Sequence, residues 1–88
     1  MRIAIPTEDS YVSEHFGRCP YYAIVDLEGN KIIKFELIEN PGYKSGFIPN
    51  FLKQKGVEYI ICGGIGTKAI NFFSELGIKV IMRVTGKI

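Results

Sequence analysis

The sequence predicts a mixed α/β fold built on one five-stranded sheet with flanking helices, and three observations carry that prediction. Short runs rich in Ile, Val and Tyr recur at 2–6, 21–27, 31–38, 58–62 and 78–82, the length and composition of strands. Two stretches between them place apolar residues at helical spacing. The segment 58–82 reads strand, helix, strand, which requires a parallel pair joined by a right-handed crossover.

The first run, Arg2-Ile3-Ala4-Ile5-Pro6, is dominated by apolar residues, as suits a strand buried on both faces. Residues 7–20 mix Asp, Ser, Gly and Pro with aromatics and hold no sustained period, so they are expected to form a long loop, the kind that in a small domain usually serves function. The next two runs are separated by Glu28-Gly29-Asn30, a glycine-containing turn that reads as a hairpin. In the second of them Ile33, Phe35 and Leu37 alternate with Lys34 and Glu36, as in a half-exposed strand. Asn40-Pro41-Gly42 marks a turn, with loop expected up to Gly46.

From Phe47 the apolar residues fall at 47, 48, 51 and 52, with Pro49 tolerable in a first turn and Gly56 placed as a stop; a short helix is expected there. Residues 58–62 form the next buried strand. Ile65, Ala69, Phe72, Phe73 and Leu76 then keep helical spacing and Gly77 follows as the residue that ends the helix. With 78–82 as the last strand, the expected sheet order is 3-2-1-4-5, counting strands along the chain. The loops at 7–20, 39–46 and 63–66 then leave one end of the sheet, where open α/β sheets bind ligands and where both helices present their unpaired N–H groups.

A chain of 88 residues holds one domain, and 47% hydrophobic with 23% charged residues is ordinary globular usage. A domain this short buries only about 60–65% of its unfolded surface, so a ligand or a partner subunit, with a homodimer as the simplest case, is expected to add burial. The net charge is +2 and the pI is about 8.6. The cations form no run, so nucleic acid is not an expected partner. No apolar stretch has the length of a membrane span and the amino terminus lacks the features of a secretory leader, so a cytoplasmic location is expected. In that setting Cys19 and Cys62 read as free thiols or metal ligands rather than a disulfide.

The densest chemical cluster is Ser13-Glu14-His15-Phe16-Gly17-Arg18-Cys19, which holds the single histidine and one of the two cysteines. The expected topology sets it opposite Cys62-Gly63-Gly64-Ile65-Gly66. Imidazole and thiolate bind iron, copper, zinc or iron–sulfur centres, while Arg18, Lys68 and glycine-loop amides can hold an anion. Together they suggest a pocket for an anionic metal cluster. The plainer alternative makes His15 a turn residue, the cysteines small core hydrophobes and Arg18 a solvated charge.

Other chemistries fit less well. Gly64, Gly66 and Ala69 match G-x-G-x-x-A after a strand, the site of a dinucleotide pyrophosphate, but Met82-Arg83-Val84 stands where an acidic ribose partner belongs. A nuclease wants clustered carboxylates, and Glu8, Asp9, Glu14 and Asp26 are scattered. A thiol nucleophile pairing His15 with Cys19 or Cys62 has no evident third orienting group. Tyr11, Phe16, Tyr21, Tyr22 and Tyr43 are aromatics placed to wall a pocket or simply to pack.

MRIAIPTED at the start, VSEHFGRCPYYAIVD at 12–26 and YIICGGIGTKAINFFSELGIKVI at 59–81 together resemble the dinitrogenase iron-molybdenum cofactor biosynthesis domain family, the type found in NifX and at the carboxyl end of NifB. The resemblance covers over half the chain, in order and spacing. It implies a ribonuclease H-like α/β fold without nuclease activity, in a protein that binds or carries a metal–sulfur cluster between the segments like 13–19 and 62–66. Carried over residue by residue, it implies His15 as the direct metal ligand, Arg18 as a charge partner and Cys19 as a candidate thiolate. Many members carry a small residue such as alanine where this chain has Cys19, so a cysteine ligand adds to the family pattern. The family commonly continues through a final helix and tail where this sequence ends at Gly86-Lys87-Ile88, which implies a short member or a sheet face completed by a partner.

The expected function is therefore a non-enzymatic carrier or scaffold for an iron–sulfur or iron–molybdenum–sulfur cluster, exchanging it with donor and acceptor proteins. His15 and Cys19 are its expected metal ligands. Ser13, Arg18, Cys62, Gly63, Gly64, Gly66 and Lys68 complete the binding edge. The alternative is a regulatory or interaction module that binds a small anion or a protein partner at the glycine loop and holds no metal.

Overall fold

The computed structural model describes residues 1–42 and 47–87. Its strands are β1 (Arg2–Glu8), β2 (Tyr11–Val12), β3 (Tyr21–Glu28), β4 (Lys31–Glu39), β5 (Tyr59–Ile61) and β6 (Lys79–Ile81), and its helices are α1 (Phe47–Gln54) and α2 (Thr67–Glu75). The fold is mixed α/β with one six-stranded sheet of order β4-β3-β1-β5-β6, and β2 pairs β1 off that path.

The count of six corrects the expected five, and the extra strand lies inside the expected 7–20 loop. β1 continues to Glu8 and turns back through Asp9 (φ 51) and Ser10 (φ 70) into a pairing of Glu8 with Tyr11 and Thr7 with Val12. Two consecutive positive φ values make the tight hairpin turn that matches strand twist, and Asp tolerates them because its short side chain bonds locally. The turn of the expected loop after β4 begins with Asn40; Tyr43 and Gly46, also read as loop, lie outside the described residues.

β1 pairs antiparallel with β3, and β3 with β4, while β1–β5 and β5–β6 are parallel. β4, β1 and β5 therefore share one direction, and the segments after them gather at one end of the sheet. The residues of β1, β3 and β5 that share one face, Ala4, Tyr22, Ile24 and Ile60, join Ile48 and Leu52 of α1 and Phe73 of α2 in one buried cluster. Both helices thus bury their apolar stripes on the same side, and the periodicity that predicted them is the periodicity of this contact. On the reverse side Ile3, Ala23 and Val25 are buried. Phe35 and Leu37, which pair Val25 and Ala23, are 50% and 53% exposed.

The segment after β6 stitches the sheet end together. Arg83 N donates to Gly63 O at 2.9 Å, Val84 N to Cys62 O at 3.0 Å, and Val12 N to Gly86 O at 2.9 Å. At the opposite end of the sheet, Arg2 Nε donates to Asp26 Oδ1 at 2.6 Å across the β1–β3 pair, and this contact pulls the Asp26 carboxyl below its ordinary value. Among the described residues no helix is long and apolar enough to cross a membrane.

Candidate functional site

A groove of about 500 Å³ opens at the end of the sheet where the β1, β4 and β5 connections gather, and two loops make its walls: Glu14 to Arg18 on one side and Gly64 to Gly66 on the other. Ile48 and Pro49 at the start of α1 and Lys68, Ala69 and Phe72 on α2 complete it. The lining is apolar at its base, through Phe16, Ile65 and Phe72, with a rim of His15, Arg18, Lys68 and Glu14. Two cations face one carboxylate, so the rim carries one net positive charge with His15 neutral.

Backbone bonds hold the first wall. Ser13 N donates to Pro6 O at 2.8 Å, and Phe16 N donates to Gly64 O at 3.1 Å across the groove's floor. Phe16 is buried, its ring edge-on to Phe73 at 5.2 Å and tilted against Tyr22 at 5.5 Å. Its carbonyl accepts from Tyr22 Oη at 2.7 Å and from Cys19 Sγ at 3.4 Å. Asn40 Nδ2 donates to Gly17 O at 3.1 Å and Cys19 O at 2.8 Å, holding the rest of the loop from beneath. With its backbone so committed, the loop leaves His15 and Arg18 exposed side chains at the rim.

The second wall depends on missing side chains. A Cβ on Gly64 would sit 2.7 Å from Glu14 O, too close for a side chain unless the backbone shifts, and one on Gly63 would sit a tight 3.0 Å from Ser13 O. Gly66 differs: nothing lies within 4 Å of a Cβ there. It is the N-cap of α2, in extended backbone, with no side-chain cap and no acidic residue in the first turn. The N–H groups of that turn, and the positive end of the helix dipole, therefore receive no side-chain cap from the helix's own N-cap residue.

The structure sorts the expected site residues into two sets. His15, Arg18, Gly64, Gly66 and Lys68 line the groove. Ser13 does not: it is 5% exposed, and its Oγ accepts from His15 N and donates to His15 O, both at 3.2 Å, so it positions His15. Gly63 is the crossing point behind the wall. Cys19 and Cys62 are 2% and 0% exposed, members of the buried cluster, and Cys62 Sγ lies 3.8 Å from Ile81 O. Burial pushes both thiols up from the ordinary value, which opposes the thiolate form that ligates metal or attacks.

Among the described residues no group of three or more His, Cys, Asp and Glu side chains is placed to hold a metal ion. The donor set at the groove is one imidazole, one carboxylate, two cations and backbone N–H groups. That set suits an anion, or a preassembled centre that brings its own sulfides; it does not suit assembly of an iron–sulfur centre, which needs several thiolates.

Of the aromatics read as pocket walls, Phe16 lines the groove, Tyr22 is fully buried beneath it, Tyr11 and Tyr21 are exposed elsewhere, and Tyr43 lies outside the described residues. Phe72 is the wall that the pattern placed only in the core. The supporting roles of Asn40 and Tyr22 left one local signal, an Asn before Pro-Gly, where the side chain also accepts from Gly42 N at 2.9 Å.

A family model described as dinitrogenase iron-molybdenum cofactor matches residues 1–88. The chain is 37% identical over 86 residues to the uncharacterized protein MJ0580 of Methanocaldococcus jannaschii, across 91% of this chain and 72% of that one. Among solved structures, PH0822 superposes with a TM-score of 0.94 at 44% identity, covering 100% of this chain and 81% of that one. The apo form of the orange protein from Desulfovibrio gigas superposes with a TM-score of 0.79 at 26% identity, covering 98% and 78%.

Proposed function

The chain belongs to the dinitrogenase iron-molybdenum cofactor family, and on that premise we propose that it is a small non-enzymatic carrier that holds a preformed anionic metal–sulfur cluster, of iron–sulfur or iron–molybdenum type, as cargo in the groove. The observation that supports this most is the composition of the rim: Arg18, Lys68 and the uncapped start of α2 converge on one apolar groove together with a single imidazole.

Each group has a distinct part. Arg18 and Lys68 offset the charge of the cargo, and Arg18 offers a planar fork of donors. Backbone N–H groups at the start of α2 donate to sulfide or oxide at the cluster surface. His15 supplies the one exchangeable bond to metal, its backbone held by Ser13. The apolar base of Phe16, Ile65 and Phe72 excludes water and strengthens these contacts. A single ligand bond with diffuse charge pairing favours release as well as capture, as a carrier working between donor and acceptor proteins requires. Ribonuclease H-like topology and a cytoplasmic location belong to this reading, and Cys19 and Cys62 enter it as packing behind the groove.

Protein purified anaerobically and offered iron, sulfide and molybdate, or a preformed cluster, is expected to take up metal in stoichiometric amount. His15→Ala loses most of that uptake while its stability stays within about 0.5 kcal/mol, since the side chain is exposed. Metal analysis and the absorption spectrum read the result, and equal uptake by the variant and the parent removes His15 as a ligand. A second reading, favoured by the lack of thiolates at the rim, has the groove bind a small anion or an acidic segment of a protein. It expects binding that is indifferent to chelators and oxygen.

A further inference from the structure

β4 is an edge strand: among the described residues it pairs only with β3, and the N–H and C=O groups on its other side have no strand partner. It is nine residues long, with Ile32, Ile33, Phe35 and Leu37 all at least half exposed. Soluble proteins usually shorten, cover or interrupt such an edge because it is a template for pairing with another chain. Here the strand carries a pattern that names the other chain.

Read outward from Phe35 in Lys31-Ile32-Ile33-Lys34-Phe35-Glu36-Leu37-Ile38-Glu39, every step meets its complement. Lys34 and Glu36 stand one residue away on either side, Ile33 and Leu37 two, Ile32 and Ile38 three, Lys31 and Glu39 four. We propose that β4 pairs antiparallel with β4 of a second copy of this chain across a two-fold axis at Phe35, joining two sheets into one. In that register Phe35 faces its own copy and each Lys34 opposes the partner's Glu36, on the same face of the joined sheet. An isologous contact requires such self-complementarity, and opposite charges directly across a ladder stabilise it whereas like charges oppose it.

The strand's one irregularity confines the regular pairing to its centre, because it turns Lys31 to the face opposite Glu39. Asp26 pairs Lys34 while Leu27 pairs Ile32, so Ile33 is a bulge residue toward β3, and residues 34–36 at the proposed axis remain in regular alternation. Lys34 and Glu36 share a face of β4, because both pair even-numbered neighbours of β3, Asp26 and Ile24. The two charged pairs therefore lie side by side on one face of the joined sheet. No residue of β4 lines the groove.

The test is a charge exchange read by sedimentation equilibrium of the whole chain. The parent is expected to dimerise. K34E alone and E36K alone each set like charges opposite one another twice, and each is expected to weaken dimerisation by about tenfold or more. An equimolar mixture of K34E and E36K restores complementary pairs and is expected to form a heterodimer at least as tight as the parent dimer. No change within either chain alone produces that recovery, so a fold defect cannot imitate it, and circular dichroism of each variant guards the same point. A monomeric parent at about 100 μM, dimers that both single variants leave intact, or a mixture that stays monomeric each overturns the proposal. Loss of metal uptake with intact dimers counts against the carrier reading alone.

Discussion

The groove and the β4 edge are both unfinished surfaces, and they are unfinished in opposite ways. At the groove the backbone is committed: Ser13 and Phe16 donate to Pro6 and Gly64, Phe16 O accepts from two side chains, and what remains free is the side chains of His15, Arg18 and Lys68. At β4 the side chains are arranged by alternation and what remains free is the backbone along the outer side. A surface that offers side chains on a fixed frame selects by chemistry and size, as a ligand site does. A surface that offers a row of backbone groups selects by strand direction and register, so it fits another strand.

The comparison makes stability sensitive at the groove and assembly sensitive at the edge. The largest expected effect is that of Gly64→Ala, where the new Cβ meets Glu14 O at 2.7 Å and must push the 13–16 loop away at a cost of about 1–3 kcal/mol. Thermal unfolding should show the loss, and ligand uptake should fall with it. Gly66→Ala, with open space around it, should change stability little, so a matched loss there breaks the contrast between the two glycines. At the edge, K34E sets a carboxylate opposite Asp26 and is expected to lower the unfolding midpoint slightly while it shifts the association constant far more.

Tyr22→Phe is the next effect. It removes the 2.7 Å bond to Phe16 O but leaves the ring in place, with a cost of about 0.5–1.5 kcal/mol. A greater loss of uptake than of stability would sharpen the claim that the buried hydroxyl positions the rim.

The smallest effects follow pH. The Arg2 contact lowers the Asp26 carboxyl from 3.8, so its stabilisation is present above that value and is lost as pH falls through the folded value. Burial raises Cys19 and Cys62 from 9.0, so their contribution is present below that value and is lost as pH rises through the folded values. Unfolding midpoints across this range should show a shallow fall at each end, and Asp26→Asn should flatten the acid limb. Iodoacetamide at neutral pH should label neither cysteine until the protein unfolds.

Much of this was legible in the amino acids because the periods are clean. The alternation of Ile33, Lys34, Phe35 and Glu36 marks β4 as a strand, although all four are exposed and the expected half-burial is not found, and the spacing from Ile65 to Leu76 marks α2. β2 was not legible. Asp9-Ser10 is a weak turn signal beside Asn-Gly, and a two-residue strand has no period to detect. The site was legible as a neighbourhood but not as a surface: Ser13, His15, Arg18 and Cys19 lie within seven positions, yet Ser13 and Cys19 turn to the core and the other two to the groove. In a loop the direction of each side chain depends on distant partners such as Tyr22, Asn40 and Gly64, which local pattern does not reach.

The stitch from the segment after β6 carries a consequence for biosynthesis. Gly63 and Cys62 accept from Arg83 and Val84, and Val12 donates to Gly86, so the glycine wall and the β1–β2 hairpin are both fastened by residues made at least 20 and more than 70 positions later, respectively. On a ribosome the hairpin and β3–β4 emerge first, but the groove cannot close around anything until residue 86 has cleared the exit tunnel. Cargo arriving earlier would meet two loops with no fixed separation. On the carrier reading, loading is then a post-translational event, set by synthesis through residue 86 rather than by the order in which His15 and the glycine loop appear.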